Sequence, residues 1–362
     1  MLKLLLARMS QLCLLTLIST TLHSQGITTP RTPSPGAEVS QKIGISKVTI
    51  NYSRPAVRNR EVWGNLVPYG WNVQGFGAGN SAPWRAGANE NTVISFSDDA
   101  MVAGKSVPAG SYGLFFVINK DNTGQVILSK DSRSWGSFFY TDKQDELRAD
   151  ISMKTIPFTE LLTYDFIDNT KNSSTLVLNW EKKQFPVKIE FDVDGIVMKN
   201  AAEELKSTVG FNWQGPASAA NYALQNKVNI QQGLTWINLA IVQNKSFATL
   251  STKSGLLKEL GNNAEAEKVM DEAIAISTEN ELNTYGYQQI NAGNFDKAIA
   301  MLELNTKKFP KSANAWDSLG EAYFLKGDRK SAAGFFKKSL ALNPPANVKA
   351  NSEKYLQQMG AL

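Results

Sequence analysis

The chain has 362 residues, enough for two domains of ordinary size. Its single Cys and single His are Cys13 and His23, so everything beyond residue 25 lacks a thiol nucleophile, a disulfide, a Ser–His–Asp triad and any zinc site built on His or Cys. The net charge of +5 falls to +3 without Lys3 and Arg8, too mild an excess to point to nucleic acid as a partner.

Lys3 and Arg8 give the N-terminus a positive start. Leu12 to Ile18 form a short apolar run broken by Thr16, and Ser19 to Gln25 follow as a small polar segment. This is the pattern of a secretory signal peptide over residues 1–24, cleaved near Ser24. The run is shorter than the ~20 residues that a membrane span needs. An uncleaved anchor is the alternative, and these flanks suit it less well. Cys13 lies inside the apolar run after Gln11-Leu12, without the small residues of a lipid-attachment site. The protein is therefore expected to be periplasmic or otherwise exported, with no further membrane span. Residues 25–38, rich in Thr, Pro, Ser and Gly, read as a flexible or polyproline-like linker.

From Val39 to Val193 the pattern has period two. Val48, Ile50 and Tyr52 alternate with polar residues, as do Leu176, Leu178 and Trp180, and Phe185, Val187, Ile189, Phe191 and Val193. Pro108-Ala109-Gly110 suits a type I turn, and Asp121 to Gly124 form a hairpin loop between apolar runs. Short strands with turn residues between them predict an antiparallel β-sandwich-like domain over 39–193. Asn51-Tyr52-Ser53 and Asn172-Ser173-Ser174 fit the glycosylation pattern and read as strand and turn residues.

Three stretches in this half stand in a fixed order: SRPAVRNREVWGNLVPYG at 53–70, WRAGANENTVISFS at 84–97 and GKSVPAGSYGLFF at 104–116. On them, residues 35–193 resemble the bacterial domain-of-unknown-function family 2911, in the subgroup carrying a helical repeat tail. The resemblance implies an exported β-rich domain and brings no activity with it. Between Gly70 and Trp84 the chain carries a Gly-rich insertion relative to shorter relatives.

Trp84, Arg85, Asn89 and Glu90 are the most suggestive cluster, with Arg85 and Glu90 placed to form an ion pair. One reading is a ligand pocket closed by the insertion, where Trp71 and Phe76 stack on a glycan or apolar face. The other is architectural: Arg54, Arg58, Arg60, Arg85 and Glu90 tie loops down while Trp63 and Trp84 enter the core. Glu61, Glu90, Asp98 and Asp99 are the acids available to a carboxylate-dependent hydrolase, and Asp98-Asp99 also suits a plain turn. Gly75 to Asn80 lack the Lys-Ser/Thr of a phosphate loop, so no cofactor is expected.

After Asp194-Gly195 the composition turns to Ala, Leu, Lys, Glu, Asn and Gln, with apolar residues at helical spacing. Trp316, Leu319, Gly320, Tyr323, Gly327, Ala332, Phe336 and Pro344 fall at tetratricopeptide spacing. Leu282, Tyr285, Gly286, Gln289, Gly293, Ala298, Leu302 and Pro310 repeat the pattern thirty-four residues earlier. Gly261, Ala266, Met270 and Ala273 form a weaker copy, and Gly233, Ile237 and Ala240 a degenerate one. Residues 196–360 are thus predicted to be an all-α helical repeat array, with Gly320 against Ala332 and Gly286 against Ala298 at the helix crossings.

Groove-facing positions of such repeats fall on Asn280, Asn283, Tyr287 and Ile290, then on Asn314, Asp317, Glu321 and Phe324. This surface suits an extended peptide or a protein partner, or else is a solvated face supporting the first domain. Together these features describe an exported, non-catalytic interaction or scaffold protein. A glycan- or small-ligand-binding β domain is the second reading, and the hydrolase the third.

Overall fold

Alternation of buried and exposed side chains along residues 36–53 produces the first hairpin, β1 (Gly36–Ile43) and β2 (Ser46–Ser53). The computed structural model describes residues 33–362, so the segment read from the sequence as a signal peptide, with Cys13 and His23, lies outside the described residues. β1 begins at Gly36, where the sequence reading still placed linker, because residues 36–43 pair along their whole length with β2.

The strands that follow are β3 (Asn72–Val73), β4 (Ser81–Ala82), β5 (Val93–Phe96), β6 (Ala100–Val102), β7 (Lys105–Val107), β8 (Gly110–Ile118), β9 (Thr123–Ser129), β10 (Asp145–Ser152), β11 (Lys154–Ile167) and β12 (Ser173–Phe191). A six-stranded antiparallel sheet has the order β1-β2-β5-β8-β9-β10, and a four-stranded one the order β11-β12-β6-β7. Aromatic pairs join the two sheets across the core: Tyr52 meets Tyr164 edge-on at 4.8 Å, and Phe116 meets Phe185 at 5.3 Å. This is the sandwich-like arrangement that the alternation predicts. The expected hairpin loop occurs between β8 and β9, with Asn122 at φ +64 and Thr123 N–H donating to Asp121 at 3.0 Å, while Ala109 sits in a bend between β7 and β8.

The runs around Leu178 and Val187 belong to a single strand, β12. It bends at Glu181 (φ +52), where its register with β11 shifts. The strand ends at Phe191, and Val193, read as strand, opens the first helix.

The chain divides into two compact units, one ending at Val193 and the other starting at Asp194. The second contains α1 (Val193–Glu204), α2 (Gln214–Asn226), α3 (Ile230–Gln243), α4 (Phe247–Glu259), α5 (Asn263–Ile276), α6 (Glu279–Asn291), α7 (Phe295–Lys308), α8 (Ala313–Lys326), α9 (Arg329–Ala341) and α10 (Ala346–Gln358). Capping residues start them where the sequence places Ser, Thr and Asp. Ser246 with Thr249 and Thr278 with Glu281 form reciprocal boxes, and Ser312 and Asp328 cap α8 and α9.

Helices pair as α2/α3, α4/α5, α6/α7 and α8/α9, with α10 packed on the last pair. The crossing glycines are needed, although their partners differ from those expected. A Cβ on Gly320 would stand 2.9 Å from the Phe336 ring, and one on Gly286 would stand 2.7 Å from Leu302. The large residue of the second helix, rather than Ala332 or Ala298, fills the space that each glycine leaves. Polar residues then tie the pairs: Ser339 donates to the Ala313 carbonyl at 2.8 Å and Asn305 to that of Glu279 at 3.2 Å. The Lys308 ammonium donates to the Ile274 and Ser277 carbonyls at the end of α5, a favourable place for a cation.

Candidate functional site

The loops after β2 and before β5 enclose a cleft of about 600 Å³ in the β unit. Trp84, Arg85 and Asn89 line it, as do Arg58, Arg60 and Trp180. Trp71, Phe76 and Glu90 do not, and strand geometry explains the first. Along the start of the insertion the alternate residues Gly70, Asn72 and Gln74 face the cleft, so the intervening residues point the other way. Trp71 instead covers the Arg148 guanidinium at 4.9 Å, and Phe76 packs edge-on against Phe138 at 5.5 Å. Glu90 borders a separate surface hollow beside β1.

Trp84 belongs to an aromatic cluster. It stacks on Trp180 at 5.9 Å, and Trp63 stands edge-on to both. Trp63 donates its indole N–H to Glu181 at 3.1 Å, the residue that bends β12. Arg54 and Arg60 play the architectural part. Arg54 donates to the Leu162 carbonyl and to Thr163, Arg60 to the carbonyls of Ala56 and Val57.

Arg85 is half-buried and does not reach Glu90. Its guanidinium donates to the Asn89 carbonyl at 2.6 Å and lies over the Phe138 ring. Gly136, at φ +64, lets it do so, since a Cβ there would fall 2.1 Å from the guanidinium carbon. Burial lowers the pKa of Arg85 from its ordinary value. Among the described residues no acidic side chain lines the cleft. Asp98 accepts from Ser97 and Asp99 from the Ala109 N–H, the turn roles open to them. Among the described residues no three His, Cys, Asp or Glu side chains gather as metal ligands.

In the helical unit the repeat period itself builds a ladder. Tyr287 donates to Glu321 at 2.8 Å and Tyr355 to the other oxygen of Glu321 at 3.0 Å, each partner thirty-four residues along. Asn351 and Ser352 donate to Asp317, and Asn314 to Glu279. Tyr287, Asn314, Asp317 and Glu321, read from the sequence as groove-facing, are therefore engaged in stitching neighbouring repeats together. Ile290 is buried, and Asn283 has its amide oxygen buried without a partner.

Burial raises the Asp317 carboxyl above its ordinary 3.8, against the opposing hydrogen bonds from Ser352 and Asn351. A folded-state pKa above the unfolded one contributes stability below the unfolded value and loses it as pH rises through the folded value. Urea unfolding is thus expected to show a larger stability advantage of wild type over Asp317→Asn at about pH 4 than at about pH 7. A difference that does not change with pH would remove this account.

Asn280 remains open, and it belongs to a larger groove upstream. That groove, of about 1010 Å³, runs over α2, α4 and α6. Its floor consists of the small residues Ala248, Ser251, Thr252 and Gly255 of α4. Gly255 is required there because a Cβ would lie 2.7 Å from Leu224 on α2. Asn221, Gln225, Asn280, Thr284 and Gln288 rise around the floor, and among the described residues their side chains have no hydrogen-bond partner. Phe247 and Tyr285 meet edge-on at 5.8 Å beside them. The sequence reading named no groove residue on α2 or α4, because their repeats are degenerate. Phase counting back from Gly261 would have reached Ala248 and Ser251.

A two-sheet β domain followed by a row of antiparallel helix pairs defines a repeat-bearing protein of the interaction-scaffold class. Residues 34–189 match the family described as protein of unknown function (DUF2911), and residues 313–345 match the tetratricopeptide repeat. The first unit thus carries a DUF2911 domain and the second a tetratricopeptide repeat. Superkiller complex protein 3 of Mus musculus is 34% identical over 74 residues, which is 20% of this chain and 5% of that protein. The chain therefore spans only a small fraction of that relative. Among solved structures, MamA is 20% identical over 40% of this chain and 86% of its own, with a TM-score of 0.27. YrrB, described as a TPR protein with an unusual peptide-binding site, is 15% identical over 45% of this chain and 89% of its own, also with a TM-score of 0.27.

Proposed function

We propose that the protein is an exported interaction protein whose helical unit holds an extended peptide segment in the groove over α2, α4 and α6. The observation that carries this reading is the contrast between two parts of one array. Around α8 and α10 the inward polar side chains are consumed by the Tyr287–Glu321–Tyr355 ladder, while Asn221, Gln225, Asn280, Thr284 and Gln288 keep theirs open above a floor of small residues. An extended backbone presents one N–H and one C=O per residue, and such amide and hydroxyl groups pair with both. The groove is uncharged apart from Lys258 and Glu281, which favours a polar, near-neutral segment over an acidic tail.

Export rests on the sequence alone, on Lys3, Arg8 and the run Leu12–Ile18. Among the described residues no helix is long and apolar enough to cross a membrane. Intact mass of the protein from the exported fraction tests cleavage near Ser24.

Panning the full chain against a random peptide library tests the groove. Selected peptides are expected to lose about tenfold or more in affinity for Ser251→Trp, which fills the floor from an accessible helix face, and less for Asn280→Ala. Circular dichroism of both variants should match wild type. Peptides that bind Ser251→Trp as well as wild type would place the interaction elsewhere.

A further inference from the structure

We propose that the cleft of the β unit binds a small ligand carrying an oxyanion (carboxylate, sulfate or phosphate) beside a flat apolar face. The inference does not depend on the helical groove, which lies in the other unit. Three arginines, Arg58, Arg60 and Arg85, line the cleft, and among the described residues no acidic one does. Among the described residues none of the three forms an ion pair with a carboxylate. Arg58 presents only its backbone N–H to Glu160, at 3.0 Å, and among the described residues its guanidinium has no partner. Arg85 is half-buried with one carbonyl and one aromatic face for company. A guanidinium withdrawn from water without an anion is costly, and a bound oxyanion answers that cost with paired N–H donors.

The walls fit the rest of such a ligand. Trp84, only partly exposed, offers an indole face backed by Trp180, and the cleft volume falls within the ~300–1,000 Å³ range of small-molecule sites. Backbone strain gathers on the same loops: Arg58, Asn59, Ala86 and Asn89 all sit at positive φ without being glycine. Such conformations cost energy and persist where the surroundings hold them for a purpose.

The test uses the full chain with benzoate and phenyl phosphate as the anionic probes and benzyl alcohol as the neutral one, followed by ligand-detected NMR and calorimetry. At least one anionic probe is expected to bind about tenfold or more tightly than benzyl alcohol, with affinity falling as salt is raised. The preferred anion distinguishes a carboxylate site from a phosphate site. Arg58→Gln, on an exposed side chain, is expected to weaken binding about tenfold while leaving thermal unfolding unchanged, and Arg85→Gln to weaken it further. Should Arg85→Gln fail to fold, Arg58→Gln decides alone. Equal binding of the neutral probe, unchanged affinity in Arg58→Gln, or no anionic binding up to about 10 mM, some 3 kcal/mol of affinity, would each overturn the proposal.

Discussion

Replacing Trp180 with Ala is expected to lower the unfolding free energy of the β unit by about 3–5 kcal/mol, the cost of emptying a large aromatic site. Trp180 is 1% exposed, stacks on Trp84 and stands edge-on to Trp63, so its loss opens the centre of the cluster that backs the cleft. Trp180→Phe is expected to cost much less. It keeps a ring in the stack and removes an indole N–H that is buried without an acceptor, a penalty of roughly 1–3 kcal/mol in its own right. Urea unfolding followed by near-ultraviolet circular dichroism measures both. Trp180→Ala within about 1 kcal/mol of wild type would show that the cluster carries little of the unit's stability.

Phe336→Ala is expected to cost about 3–5 kcal/mol in the helical unit. Phe336 is fully buried, lies over Gly320 and stacks on Tyr355 at 5.2 Å and 9°. The same contact sets the sign of a second substitution. In wild type, Gly320→Ala is destabilising, because its Cβ would meet the Phe336 ring at 2.9 Å, inside close-packed contact. In the Phe336→Ala background the obstruction is gone, and Ala is favoured over Gly in a helix by about 0.5–1 kcal/mol. A double-mutant cycle by thermal unfolding is therefore expected to show strong coupling. Simple additivity would mean that the Gly320 contact yields freely.

The two fold classes were legible because each leaves a local signature. Val48, Ile50 and Tyr52 repeat every second residue, and Trp316, Gly320, Tyr323 and Ala332 repeat at helical spacing within a thirty-four-residue unit. The candidate sites were legible only in part. Trp84, Arg85 and Asn89 do meet in one cleft, yet Trp71 and Phe76 leave it, and Arg58 and Arg60 join it from a loop about twenty-five residues earlier in the chain. In the repeats, position numbering assigned Asn280, Asp317 and Glu321 alike to the groove face. It did not distinguish Asn280, which stays open, from Asp317 and Glu321, which bond to the next repeat.

What the sequence by itself determined is whatever depends on neighbours in the chain: two halves with different periodicity, helix starts at Ser246, Thr278 and Ser312, and glycines at the helix crossings. Tertiary structure alone decided which side of the insertion faces the cleft, which aromatic side chain fills the space over each glycine, and which inward polar groups are already paired. The physical reason is range. Backbone conformation and burial periodicity follow from a few adjacent residues. Hydrogen-bond partners and cavity walls come from segments that folding brings together, and one residue of register exchanges one face for the other.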